Sequence, residues 1–269
     1  MGPQQLPVHE VVAVNTAAAS ENKIHDASIA RKLGYHEAVV PGATIYAYMA
    51  HMPVARWGYA WLQCGEAECR FRRPVYDGAI VRVTAIEQNN RLALSLESAG
   101  IQCATGYAFM RDDRPPARGI HALPASVPPH ERPMASDASL AVGTCLGIAP
   151  VIIDEVMLLS YLDAICETDP IFRTEKAVHP GQVLQLANRA LLQNVILGPW
   201  IHLSSKLRHH AIAHVGNELT LRSKISSNFV VKGHATVEFD AIVVADGTQT
   251  VAEINYVAIW RPRQVISEA

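Results

Sequence analysis

The chain is predicted to be an α+β protein made of two similar halves. Three observations support this: an internal repeat, an apolar helix near the start of each copy, and a run of alternating strands behind each helix instead of a strand–helix alternation. Ala38-Val39-Val40-Pro41-Gly42 is answered by Ala177-Val178-His179-Pro180-Gly181. Val75-Tyr76-Asp77-Gly78-Ala79-Ile80-Val81-Arg82-Val83 is answered by His214-Val215-Gly216-Asn217-Glu218-Leu219-Thr220-Leu221-Arg222. The offsets are 139 residues at the first glycine and 138 at the second, so spacing is kept along with the letters.

Each copy begins with polar residues and a turn, then a buried helix: Gly42 to about Ala50 in the first, Gly181 to about Val195 in the second. Ile45, Tyr46 and Met49 share one helical face, as do Val183, Leu184, Ala187, Ala190, Leu191 and Val195. Alternation then predicts strands at 69–73, 80–88, 92–97 and 102–110, and again at 201–208, 219–226, 230–244 and 251–260. Asp77-Gly78, Gln88-Asn89-Asn90, Gly216-Asn217 and Asp246-Gly247 mark turns. Between the copies, Arg114-Pro115-Pro116, Pro124, Pro128-Pro129 and Pro133 read as an extended linker over the surface. The expected division is a first half at 1–112, a Pro-rich linker at 113–148 and a second half at 149–269.

With 269 residues, 49% of them hydrophobic, the chain is long enough for one large core or two medium ones. A net charge of -2 offers no electrostatic case for nucleic acid or an anionic membrane. Five scattered cysteines without a C-x-x-C pair suggest neither a disulfide framework nor a zinc site, and point to a reducing cytoplasm. Met1-Gly2-Pro3-Gln4-Gln5 lacks the basic start and apolar core of a signal peptide. The apolar run from Leu140 to Ile153 is too short to span a bilayer and is closed by Asp154 and Glu155.

The richest chemistry lies in Ser20-Glu21-Asn22-Lys23-Ile24-His25-Asp26, ahead of Gly34-Tyr35 and of Gly42 at the helix start. This order resembles the MaoC-type hotdog domains, the (R)-specific enoyl-CoA hydratases and dehydratases, with their D-x-N-P-x-H loop and downstream glycine. The resemblance implies a double hotdog: two tandem copies of a long central helix wrapped by a bent antiparallel sheet. It places Asn22 and His25 at the family's Asn and His, Gly34-Tyr35 at its Gly-aromatic pair, and Gly42 at its helix-start glycine. The family Asp position is Ser20, and Pro41 stands where many members carry His. In the second copy Glu167 matches the Asp, Asp169-Pro170 the Asn-Pro, and Phe172 replaces the His, so this half reads as the degenerate partner.

What the resemblance implies is reversible hydration of an enoyl thioester on coenzyme A or an acyl carrier. His25 is the expected base, because an imidazole titrates near neutrality. Gly42 is expected to aim its N–H at the thioester oxygen, with Ser20 and Tyr46 beside the substrate, and Asn22 to orient water or the histidine. A hydroxyl cannot replace the missing carboxyl, so Glu21 and Asp26 are both candidates for the acid; Asp26 is equally a helix cap and Glu21 a solvated charge. A hotdog thioesterase and a non-catalytic acyl-thioester-binding subunit are the alternatives. No metal or cofactor is implied, and association into a homo-oligomer is expected because open sheets have edges. His209, His210 and His214 lack zinc-ligand spacing. Trp57, Trp61, Trp200 and Trp260 read as core or interface anchors.

Overall fold

The computed structural model describes residues 2–111 and 116–263. Arg114 and Pro115 of the linker, like the ends of the two expected halves at residues 1, 112 and 264–269, lie outside the described residues.

The amino end contributes two short strands that alternation had not revealed, β1 (Gln4–Gln5) and β2 (His9–Val12), and then a small helix α1 (Ala27–Lys32). The first long helix, α2 (Gly42–Cys64), runs well beyond the expected end at Ala50. Pro53 stands within it, and Gly58 divides it into two helical pieces at a kink, with a φ of 57° that a Cβ-bearing residue rarely adopts. It is buried on every side from Ala43 to Ala50 and again at Met52, Pro53 and Val54, so tertiary packing outweighs the local cost of Pro53.

Strand β3 (Gly65–Phe71) follows without a loop, which moves its start ahead of the expected Cys69. Gly65 makes the sharp change possible, since a Cβ there would lie 2.1 Å from Trp61 Cδ1. Strands β4 (Ile80–Gln88), β5 (Arg91–Ser98) and β6 (Ile101–Met110) complete the first meander.

Residues 118–123 cross the outer face of the second half. Arg118 N–H donates to Glu253, Arg222 donates to the Ile120 carbonyl, and Leu123 packs on Ile242 and Val244. The stretch expected as linker ends in a strand, β7 (Cys145–Gly147), which is followed by β8 (Val151–Ile152), α3 (Glu155–Ala164), α4 (Ile171–Thr174) and the second long helix, α5 (Pro180–Asn194). Strands β9 (Ile201–His209), β10 (Glu218–Val231), β11 (His234–Ala245) and β12 (Gln249–Arg261) close the chain. The expected strand from Val230 is divided by a two-residue turn at Lys232-Gly233, both with positive φ, so Val230 and Val231 belong to β10.

Among the described residues, twelve strands form one antiparallel sheet in the order β1-β4-β5-β6-β3-β9-β12-β11-β10-β7, with β2 also on β4 and β8 also on β10. The pattern repeats about the central β3–β9 pair: β4–β6 on one side answer β10–β12 on the other. The bridges Val39–Tyr76 and Ala177–His214 are likewise related by a shift of 138 at both partners. Helices α2 and α5 pack together inside one continuous core covered by this sheet, which is the double-hotdog arrangement. Across β3–β9, the almost fully buried Glu66 carboxylate accepts from Lys206 and Arg208, each at 2.7 Å. With both oxygens engaged, its charge is compensated at the seam between the halves. No described helix is long and apolar enough to cross a membrane.

Candidate functional site

The start of α2 opens into a cavity of about 270 Å³ whose walls come from both halves. Ile24, Val39, Val40, Ile45, Phe71, Leu203 and Ile259 make it mainly apolar. Asn22, His25, Tyr35, Gly42, Asn188, Trp200 and His202 add polar groups, and the exposed Arg72 and Arg73 also line it.

His25 ends a 3-10 turn (Lys23–His25) initiated by Asn22. Its Nδ1 lies 2.7 Å from the Val39 carbonyl, which can only accept, so the ring proton sits on Nδ1 and Nε2 keeps its lone pair. Burial pulls this imidazole below its ordinary 6.5, against an upward pull from the Val39 bond. The ring is therefore neutral at pH 7 and presents a base.

Asn22 is buried and its amide is committed. Nδ2 donates to the Trp200 carbonyl at 3.0 Å, Oδ1 accepts from Trp200 N–H at 3.2 Å, and Nδ2 lies 3.4 Å from His25 Nε2. It fastens the His25 turn to the second half. Asn15 Nδ2 holds the His25 carbonyl at 2.7 Å from the other side.

Gly42 stands at the helix start, and among the described residues no side chain caps that end. Its N–H therefore belongs to the set of helix donors left without an internal partner. A Cβ on Gly42 would lie 2.6 Å from His202 Nδ1, so glycine is needed for the close approach of the helix to β9.

The other expected residues are placed elsewhere. Glu21 has 63% of its side chain exposed and pairs with Arg132 at 2.9 Å. Asp26 caps α1, accepting from Ser28 Oγ and from the N–H groups of Ser28 and Ile29; the Ser28 hydroxyl is the main cause of its lowered pKa. Ser20 Oγ accepts from Asn22 N–H at 3.1 Å and so supports the loop. Tyr46 lies one turn below Gly42 in the core, with its hydroxyl unpaired and its pKa raised by burial. None of these four lines the cavity.

The equivalent place in the second half is closed. His179 Nδ1 accepts from Gly181 N–H at 3.0 Å, and Gln182 completes a reciprocal cap. A Cβ on Gly181 would meet Tyr161 Oη at 2.2 Å and Ala47 Cβ at 2.7 Å, so this helix start packs directly against those side chains. Glu167, at the motif's acid position, accepts from His51 Nδ1 at 2.8 Å and from Asp169 N–H at 2.7 Å, with His179 Nε2 3.5 Å away. Burial would raise this carboxyl, but hydrogen bonding from the two histidines outweighs it and holds it well below the usual carboxylate range. His9 stacks on His51 at 3.8 Å.

Sequence reasoning had not singled out Phe71, Asn188 or His202 as cavity residues. The strand alternation covers His202, but its approach to Gly42 depends on the β3–β9 pairing, which no local pattern announces.

No family model matches the sequence, and no curated protein does. Solved structures do match in fold. A double-hotdog protein of Mycobacterium tuberculosis shares 14% identity over 96% of both chains, with a TM-score of 0.67. A MaoC-domain protein of Chloroflexus aurantiacus described as a dehydratase shares 15% over 97% of this chain and 95% of its own, at 0.63. A protein of Lactobacillus plantarum described as an oleoyl thioesterase shares 9% over 97% and 98%, at 0.53. The chain therefore has the fold of MaoC-like dehydratases, a fold that thioesterases also use.

Proposed function

We propose that the chain is a hydro-lyase that adds water to an enoyl thioester, or removes it from a 3-hydroxyacyl thioester, in the cavity at the start of α2. The observation that carries this reading is the contrast between the two helix starts. That of α2 is uncapped and faces a cavity shared with a neutral imidazole, whereas that of α5 is closed by His179.

In the hydration direction, His25 Nε2 takes a proton from water as the water oxygen bonds to the β-carbon. The π electrons move onto the thioester oxygen, where the Gly42 N–H meets the developing charge. The imidazolium then returns its proton to the α-carbon as the enolate collapses. Water has been added across the double bond, and His25 is again neutral. One imidazole serves as base and acid in turn, so neither Glu21 nor Asp26 is needed. Asn22 holds the ring in place, the apolar walls receive the acyl chain, and Arg72 and Arg73 offer charge to the phosphates of coenzyme A or of a carrier's phosphopantetheine.

The test is a panel of enoyl-CoA thioesters of increasing chain length, followed at the absorbance of the conjugated double bond with a parallel assay for free thiol. Loss of the double bond without thiol release is expected. Thiol release would replace this reading with the thioesterase, and binding without either change would replace it with a binding subunit.

A further inference from the structure

We propose that His202, on β9 of the second half, is a catalytic residue of the first-half site: its Nδ1–H and the Gly42 N–H together grip the thioester oxygen. This rests on the reading that a thioester carbonyl enters the α2 cavity. His202 lines that cavity, is buried, and carries an Nδ1 atom without a hydrogen-bond partner among the described residues. The atom lies beside the helix start, where a Cβ on Gly42 would come within 2.6 Å of it. A buried imidazole nitrogen with no partner is costly, and a ligand oxygen at this point would remove the cost.

The hydrogen bond at Nε2 admits two forms of the ring. His202 Nε2 lies 2.6 Å from Ser205 Oγ. If the hydroxyl donates, Nε2 is the acceptor, the ring proton is on Nδ1, and Nδ1–H is the single orphan donor of the pair. If the ring donates instead, both the Nδ1 lone pair and the serine proton are left unmatched. Either way Nδ1 is left unmatched, and the assignment requires the first arrangement, with the ring proton on Nδ1. Burial pushes this imidazole down to about 3, against an upward pull from a backbone hydrogen bond with Ser204, so the ring is neutral at pH 7 and any contact it makes is that of a neutral imidazole, not of a cation. Stacking on Tyr256 at 4.1 Å and contact with Phe71 at 4.7 Å hold its plane.

Two further variants separate this from a structural role. His202→Phe keeps an aromatic ring between Phe71 and Tyr256 but has no donor, and His202→Asn keeps a donor near the Nδ1 position. The probe is butyryl-CoA labelled with 13C at the carbonyl, a saturated thioester that needs no turnover, read by its carbonyl stretch when bound. A downshifted stretch in wild type, lost in His202→Phe and retained in His202→Asn, supports the assignment. So does a kcat for enoyl-CoA hydration lowered on the order of 100-fold in His202→Phe with KM little changed.

An unchanged stretch in His202→Phe overturns the assignment while leaving the hydratase reading intact, and so does 15N NMR that finds the ring proton on Nε2. Failure of wild type to bind butyryl-CoA overturns both. Should His202→Phe not fold, Ser205→Ala, which leaves the ring and releases its tautomer, is read in the same way: a weakened downshift supports the assignment and an unchanged one overturns it.

Discussion

Replacing Gly42 with alanine probes the closest approach between the halves. The new methyl would lie 2.6 Å from His202 Nδ1 and 3.0 Å from its Cβ and Cγ, where ordinary contacts begin near 3.4 Å. The imidazole has little freedom to yield, because Tyr256 stacks on it, Phe71 packs beside it and Ser205 holds Nε2. Overpacking of this kind costs about 1–3 kcal/mol. Alanine offsets roughly 0.4–1 kcal/mol of that by restricting the unfolded chain, since Gly42 does not use a positive φ. A net destabilisation of about 1–2 kcal/mol is expected in urea unfolding, read as a lower midpoint at constant slope. Thioester binding should weaken as well, because the methyl occupies the front of the helix start. Gly198→Ala is the control, since nothing lies within 4 Å of a Cβ there. Equal stability and equal thioester binding for Gly42→Ala and Gly198→Ala would refute the close-packed site.

Acid should destabilise the fold before its carboxylates titrate. Burial pushes His202 and His209 down to about 3, so between pH 6.5 and 3 the unfolded chain binds more protons and stability falls with pH. Each contributes about 2 kcal/mol between pH 7 and pH 5, and equal unfolding free energies at the two values would contradict this. Gly147→Ala would bring a Cβ to 1.7 Å from the Ser126 carbonyl oxygen, backbone against backbone, and should cost on the order of 3 kcal/mol; a thermal midpoint equal to wild type would dismiss that contact. Glu167→Gln should lower stability, because it removes the buried charge facing His51 and His179, yet leave kcat/KM within about twofold. Loss of turnover with intact folding in that variant would move the active site to the second half.

The repeat was legible because two glycine-bearing motifs keep their spacing, and it leads directly to the pseudo-symmetric sheet. Turn chemistry placed most strand ends, although Lys232-Gly233 passed as the interior of a strand, since lysine is not a usual positive-φ residue. Pro53 and Gly58 are helix-breaking letters: burial of the stretch around Pro53 lets the helix continue past it, whereas at Gly58, among exposed neighbours, the helical conformation is interrupted. Around the cavity, His25, Asn22 and Gly42 sit where the loop and helix-start motif put them. Glu21, Asp26, Ser20 and Tyr46 lie within a few residues of that motif and yet do not line the cavity, because the 3-10 turn and the Asp26 cap turn the acids outward. His202 and Asn188 arrive through long-range pairing and packing, for which the sequence carries no nearby mark.

The most direct measurement is the pH dependence of enoyl-CoA hydration by wild type beside His25→Ala, with butyryl-CoA binding as the check on folding. A neutral His25 with a lowered pKa predicts a kcat/KM that is flat at and above pH 7 and falls only below 6.5, the base being lost on protonation. It also predicts a rate lower by about 100-fold or more in His25→Ala, with binding retained. Hydration at the wild-type rate by His25→Ala would contradict the account at its centre.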